Sequence, residues 1–231
     1  MVEMKVARSE LILGGQKSGK SRRAESMAAA WLAQSPSHRA VFIATAQAQD
    51  EEMHERIARH RRDRAERLPG MTTEEEPLRL AEAIARHSRA DTLLVVDCLT
   101  LWLTNWLMPA PGASPHPSPL PKAEGAKAGE GLFTPSSWER AEVRASAGQT
   151  SNQLPAPDMT AQAAMLSGAI RSASGPVVLV SNEIGLGVTP LGREVRAFVD
   201  ALGQLNQDMG RVCERVTLMA AGLPLILKGE A

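Results

Sequence analysis

Gly14-Gly15-Gln16-Lys17-Ser18-Gly19-Lys20-Ser21 fits the phosphate-loop pattern G-x-x-x-x-G-K-[ST]. The octapeptide stands where such a loop must stand. Leu11–Leu13 before it reads as a short buried strand, and Arg22–Leu32 after it reads as a helix. Strand, glycine loop and helix together aim backbone N–H groups at a phosphate. The glycines permit the tight path, part of it at positive φ, and keep Cβ atoms away from the anion. In that arrangement Lys20 reaches the β- and γ-phosphates and the Ser21 hydroxyl ligates Mg²⁺. A chance glycine-rich turn would lack the flanking strand and helix. The octapeptide therefore predicts a nucleotide-binding protein.

Outward from the loop, continuously apolar runs alternate with helical patterns. Further strands are expected at Ala40–Thr45, Thr92–Asp97, Val177–Ser181 and Arg215–Ala220, with a closing edge strand at Leu223–Leu227. Unbroken apolar runs are the mark of strands covered on both faces. Helices are expected at Asp50–Glu66, Glu76–Ala85, Ala161–Ala173 and Leu191–Cys213. The alternation predicts an α/β fold: a RecA-like phosphate-loop NTPase with a mainly parallel sheet and helices on both faces. Residues 1–231 read as one such domain. Residues 109–157 interrupt it with a Pro-, Gly-, Ser- and Ala-rich insertion, of which Pro109 to about Gly131 is expected to be disordered on the surface and Phe133–Pro157 loosely structured. His116 falls inside it with no ligand partners at useful spacing.

Composition excludes several classes. The 231 residues are 43 % hydrophobic and carry 26 basic and 26 acidic residues, so no global positive field exists to hold nucleic acid. Tyrosine is absent and phenylalanine scarce, which leaves few stacking platforms for single strands. Cys98 and Cys213 lie in apolar stretches and read as buried thiols of a reducing cytoplasm. No apolar run approaches the roughly 20 residues of a membrane span.

Three further constellations point to chemistry. Asp97 ends a predicted strand, where an acidic residue in phosphate-loop folds commonly holds Mg²⁺; a turn or helix cap is the plain alternative. The helix after Thr45 carries Arg56, Arg59, Arg61, Arg62 and Arg64, a candidate polyphosphate clamp or simply a solvated face. His54 and His60 lie on it, and residue type alone does not separate them. Asn182 and Glu183 leave the strand Val177–Ser181 toward the ligand crevice of an open α/β sheet, to contact substrate or to serve a turn.

Taken together, these stretches resemble one family. They are Gly14–Ser21, Ile43-Ala44-Thr45, Asp50-Glu51-Glu52-Met53 with Arg56-Ile57 and His60-Arg61, Glu75-Glu76-Pro77, Asp97-Cys98-Leu99-Thr100, Ser181–Gly185, Gly187 and Pro190. The set is similar to the bifunctional adenosylcobinamide kinase/adenosylcobinamide-phosphate guanylyltransferases of cobalamin biosynthesis, over residues 9–108 and about 158–228. The resemblance implies two reactions. ATP or GTP phosphorylates the aminopropanol hydroxyl of adenosylcobinamide. GTP then gives GMP to a histidine, which passes it to the phosphorylated corrinoid to make adenosylcobinamide-GDP. It implies His60 as the guanylylated histidine, and GTP contacts at Gly14–Ser21, Ala44, Thr45, Ala46, Arg61, Arg62, Asp63, Arg64, Glu75 and Asp97. It also implies Mg²⁺, a corrinoid partner and a homotrimer. Two departures stand out: Asp97 replaces a glutamate common in the family, and the insertion is longer than usual. The competing readings are a guanylyltransferase with a weak kinase step and a RecA-type regulatory ATPase.

Overall fold

The computed structural model describes residues 5–47, 51–109, 158–187 and 189–230, without the side chains of 52–54, 56 and 60. The expected insertion lies outside them, apart from Pro109. Seven strands form one sheet in the order β3-β2-β4-β5-β1-β6-β7. They are β1 (Ser9–Gly14), β2 (Arg39–Ala44), β3 (Met71–Glu75), β4 (Thr92–Asp97), β5 (Val177–Val180), β6 (Arg215–Ala220) and β7 (Leu223–Lys228). All neighbours pair in parallel except β6 and β7. The helices are α1 (Lys20–Gln34), α2 (Glu51–Arg67), α3 (Leu80–His87), α4 (Leu99–Leu107), α5 (Met159–Ser172) and α6 (Arg193–Val212).

The strand alternation splits the core in two. Leu11 and Leu13 of β1, Val41 and Ile43 of β2, and Leu94 and Val96 of β4 face one side, packed with α3, α4, α5 and α6. Ile12, Phe42, Val95, Val178 and Val180 face the other, packed with Ala24, Met27 and Ala28 of α1. Both faces are covered, which is why the strands read as unbroken apolar runs.

Two elements depart from expectation. β3 pairs with β2 at the sheet edge, although Met71-Thr72-Thr73-Glu74-Glu75 has no apolar run. An edge strand has one neighbour and one exposed flank, so polar residues suffice. The helix α4 follows β4 at once, and its buried Leu99, Trp102, Leu103 and Trp106 merge in sequence with the strand's apolar run. In addition, α3 starts at Leu80 rather than Glu76; the Glu76 carboxylate accepts from the N–H groups of Leu78 and Arg79 and holds the entry to the helix.

β1 lies between β5 and β6, with β4 and β2 beyond β5. The strand order reverses at β1, so the carboxyl end of β1 opens on the crevice where doubly wound sheets bind ligands. Among the described residues no helix is long and apolar enough to cross a membrane.

Candidate functional site

The phosphate loop is held open by its own backbone. Gly14 has φ +149°, and a Cβ there would stand 2.5 Å from the Met219 carbonyl oxygen and 2.6 Å from Ser18 Oγ. Gly19 has φ +99° and precedes the first residue of α1. The Gly222 N–H, in the β6–β7 turn, donates to the Ser18 carbonyl at 3.1 Å and braces the loop from behind. No side chain caps α1 and its first turn holds no acid, so its N-terminal N–H groups keep their positive field for an anion.

Lys20 is buried, and its Nζ donates to the carbonyls of Gly14 at 3.0 Å and Gly15 at 2.7 Å. The ammonium is thus folded back on the loop's own carbonyls. Burial pushes it below the ordinary lysine range, while the charge of Asp97 opposes that shift. Ser21, one residue on, is exposed. Gly15, Gln16, Lys17 and Ser18 form the loop's outer turn, with Lys17 at φ 57° and the Ser18 N–H donating to the Gly15 carbonyl at 3.3 Å.

The neighbouring strand tips stand in one row. Ala44 of β2 pairs with Asp97 of β4, which pairs with Val180 of β5, which pairs with Ile12 of β1. Parallel pairing therefore brings Asp97 and the residues after Val180 beside the loop. Glu183 N–H donates to the Gly14 carbonyl at 3.1 Å. Asn182 bonds Thr100 Oγ1 through both its backbone N–H (2.9 Å) and its Nδ2 (3.1 Å). Asn206 of α6 ties the turn down. Its Nδ2 donates to the Asn182 carbonyl at 3.0 Å and to Glu183 Oε2 at 3.4 Å, and its Oδ1 accepts from Ser181 Oγ at 2.7 Å.

Thr45 sits differently. It is fully buried, and its hydroxyl donates to the Cys98 carbonyl at 2.7 Å while accepting from the Cys98 N–H at 2.8 Å. Its carbonyl accepts from Asn105 Nδ2 at 2.8 Å. Thr45 thus clamps the tip of β2 to the start of α4, with Ala44 and Ala46 half-buried on either side.

The helix α2 connects β2 to β3, beyond β4, and packs on the sheet face that carries α1. Arg64 is turned inward: its guanidinium lies 3.6 Å over the Phe42 ring and donates to Thr73 Oγ1 at 3.3 Å. Burial lowers its pKa, and the charges of Glu25 and Asp97 oppose that shift. Lys20 and Arg64 therefore both lie in the field of Asp97. Arg61 pairs with Glu75 at the end of β3, and Arg62 and Asp63 are exposed. Arg67 bonds Glu25 of α1 at 3.0 Å, tying α2 to the loop's helix. His60 belongs to α2, four residues before Arg64. Its side chain and that of His54 lie outside the described residues.

The structure thus brings Lys20, Asp97, Asn182 and Glu183 round the loop and sets Arg61, Arg64 and Glu75 on its α2 side. Sequence reasoning quoted Thr100 without a role and missed Asn105 and Asn206. The last two carry a readable signal, a lone amide on a buried helical stripe: Leu202-x-x-Leu205-Asn206-x-x-Met209 and Trp102-Leu103-x-Asn105-Trp106.

Among the described residues no group of three or more His, Cys, Asp or Glu side chains could hold a metal alone. Mg²⁺ does not require such a cage. It takes one or two protein oxygens and completes its shell with water and phosphate oxygens, and the Ser21 hydroxyl and Asp97 carboxylate are hard donors of that kind.

Comparison with known proteins shows the family. The family described as "Cobinamide kinase / cobinamide phosphate guanyltransferase" (CobU) matches residues 10–227. The bifunctional adenosylcobalamin biosynthesis protein CobP of Pseudomonas aeruginosa is 41 % identical over 222 residues, covering 96 % of this chain and 98 % of the relative. The bifunctional CobU proteins of Escherichia coli and Salmonella typhimurium are 28 % and 27 % identical, each over 218 residues covering 94 % of this chain and 98 % of theirs. The crystal structure of flagellar accessory protein FlaH from Methanocaldococcus jannaschii aligns with a TM-score of 0.46 at 9 % identity, covering 98 % of this chain and 80 % of that one. A match from β1 to β7, with the phosphate loop inside it, shows that the chain belongs to the cobinamide kinase/cobinamide phosphate guanyltransferase family.

Proposed function

We propose that one phosphate loop serves both reactions of the family in this chain, cleaving at the γ-phosphate toward a corrinoid hydroxyl and at the α-phosphate toward His60. Family membership supplies the two activities; the division of labour among the residues is our reading. The observation that carries it is the row of strand tips. Asp97 and the Asn182–Glu183 turn follow β4 and β5 on one flank of Gly14–Ser21, and α2, which bears His60, comes up on that same flank from β2, tied to α1 through Arg67 and Glu25.

In the kinase step the loop N–H groups and Lys20 hold the triphosphate of ATP or GTP. The hydroxyl oxygen of adenosylcobinamide's aminopropanol arm bonds to the γ-phosphorus, and the bond from that phosphorus to the β,γ-bridging oxygen breaks. The nucleoside diphosphate leaves, and Glu183 takes the hydroxyl proton. Asn182, fixed by Thr100, orients the arm. Ser21 and Asp97 would hold Mg²⁺, which supplies charge neutralisation to the phosphates when bound.

In the transfer step a ring nitrogen of neutral His60 bonds to the α-phosphorus of GTP, and pyrophosphate leaves. The phosphate of the corrinoid then bonds to that phosphorus and the imidazole departs, giving adenosylcobinamide-GDP. Arg61, Arg62 and Arg64 offset charge on the triphosphate, with Glu75 orienting Arg61 and Asp63 beside them; Ala44–Ala46 bound the nucleotide from β2. The domain is one unit, 1–231, carrying the 109–157 insertion, and works in the cytoplasm without nucleic acid. A homotrimer fits the exposed Leu223, Leu225 and Leu227 on one face of edge strand β7.

Incubation with α-³²P-GTP and Mg²⁺ tests the reading. The expected result is an acid-labile, base-stable label on the protein, lost in His60→Ala and kept in His54→Ala. Label retained in His60→Ala overturns the histidine assignment. Phosphorylation of adenosylcobinamide by ATP in His60→Ala is expected to persist; its absence in the unaltered protein would leave a transferase alone. Tight, salt-sensitive DNA binding would favour the regulatory ATPase.

A further inference from the structure

We propose that the cleft between the turn after β5 and the outer face of α6 docks the corrinoid. It takes the amide-bearing rim of the macrocycle, so that the aminopropanol arm enters beside Glu183. This rests on the kinase reading above and adds where its acceptor binds.

The cleft has a volume of about 390 Å³ and is open to solvent. Its lining residues Ile184 and Gly185 directly follow Glu183 in the chain. Glu183 is joined to Gly14 by a backbone hydrogen bond of 3.1 Å, and a Cβ on the lining residue Gly185 would stand 3.5 Å from Glu183 Oε1. A ligand filling the cleft therefore lies against the turn that carries the carboxylate placed to accept its proton. That ligand is not the triphosphate, which the loop and the start of α1 already hold.

The lining suits amides on an apolar frame. Gln204 and Gln207 project from successive turns of α6. Gln204 Nε2 donates one N–H to Asp208 at 3.1 Å and Gln207 Oε1 accepts from Arg211 at 3.5 Å, which leaves each amide a further donor and an acceptor lone pair for a primary amide. Arg196 and Asp200 lie on the same helix one turn apart. Val199 and Ile184 supply apolar wall, and Leu186, 78 % exposed, stands at the rim. A corrin has this pattern: a methyl-bearing ring edged with acetamide and propionamide arms. Room is built in as well. Gly187 and Gly203 line the cleft, and a Cβ at either would meet no atom within 4 Å. The cleft is smaller than the whole corrinoid, so it takes one edge and leaves the rest over the exposed rim.

Gly203 also gives the test. Leucine there fills the cleft while favouring the helix over glycine. Cobinamide binding to the full-length protein, with a non-hydrolysable ATP analogue present, is followed by equilibrium dialysis and the visible absorbance of the corrin. Gly203→Leu, and separately the Gln204→Ala/Gln207→Ala pair, are expected to weaken cobinamide about ten-fold or more. Affinity for a fluorescent GTP analogue stays unchanged in both. Wild-type affinity for cobinamide in both variants overturns the dock while the kinase reading stands. Weakened nucleotide binding with cobinamide intact overturns it by making the cleft a nucleoside site. If the unaltered protein fails to phosphorylate cobinamide at all, the kinase reading itself has failed.

Discussion

Glu10 of β1 and Glu75 of β3 are both carboxylates paired with arginine, in opposite surroundings. Glu10 is fully buried. It accepts from Arg215 at 3.2 Å, from Arg23 at 3.2 Å and from Thr217 Oγ1 at 2.7 Å, so it locks the strand that carries the phosphate loop to β6 and to α1. Glu75 is about half exposed, as is its partner Arg61. One side of the site is a fixed cradle; the other is a charged surface whose pairs exchange readily with water or with a phosphate. A phosphate loop must be preorganised because its N–H groups act only if already aimed. A helix that delivers a nucleophile to an α-phosphorus benefits from arginines held loosely enough to re-pair with the nucleotide.

Substitutions at the two carboxylates make the contrast measurable. Glu10→Ala leaves Arg23 and Arg215 without their buried counter-charge, and Arg215 Nε already lacks a partner. The expected loss of stability is about 3–5 kcal/mol in denaturant unfolding, far above an exposed pair. A loss under about 1 kcal/mol would show that the cradle is not locked by this cluster. Lys20→Ala should leave the fold intact and lower both kinase turnover and protein guanylylation by about 10²–10³-fold. Loss of one activity alone would mean that the two reactions do not share the loop. Asn206→Ala removes three hydrogen bonds and strands Ser181 Oγ, at a cost of about 1–3 kcal/mol. It is expected to lower phosphorylation of cobinamide while the label from α-³²P-GTP persists, because it frees the Glu183 turn and touches nothing on α2. Equal losses in both assays would deny that turn a role particular to the kinase.

The same contrast explains what could be read in the chain. The cradle was legible because its constraints are local: eight consecutive residues, a buried strand before them and a helix after. The parallel sheet was legible because strands covered on both faces must be apolar throughout. β3 was not, because an edge strand can be Met-Thr-Thr-Glu-Glu and still satisfy its one neighbour. α4 was hidden by its own hydrophobicity, with Leu99 and Trp102 continuing the apolar run of β4 and masking the change of period. Asn206 lies 24 residues beyond Asn182, on a helix whose facing was not known until the sheet order was. The arginines of α2 read as one clamp, yet the structure separates them. Arg64 packs on Phe42, while Arg61 and Arg62 remain outside.

That separation gives the smallest effect and the finest test. Arg61→Ala removes a solvent-exposed pair, so stability should change by less than about 1 kcal/mol, and less still at high salt. Its effect belongs to the nucleotide. If Arg61 exchanges Glu75 for GTP phosphate, the variant labels more slowly at low GTP and recovers as GTP rises, whereas the ATP-driven kinase step keeps its KM. Glu75→Gln should do the opposite to a small degree, since it releases Arg61 from its resting partner. If the two substitutions shift the GTP dependence in the same direction, the pair acts as a unit that must stay formed. The α2 side of the site would then be as fixed as the cradle.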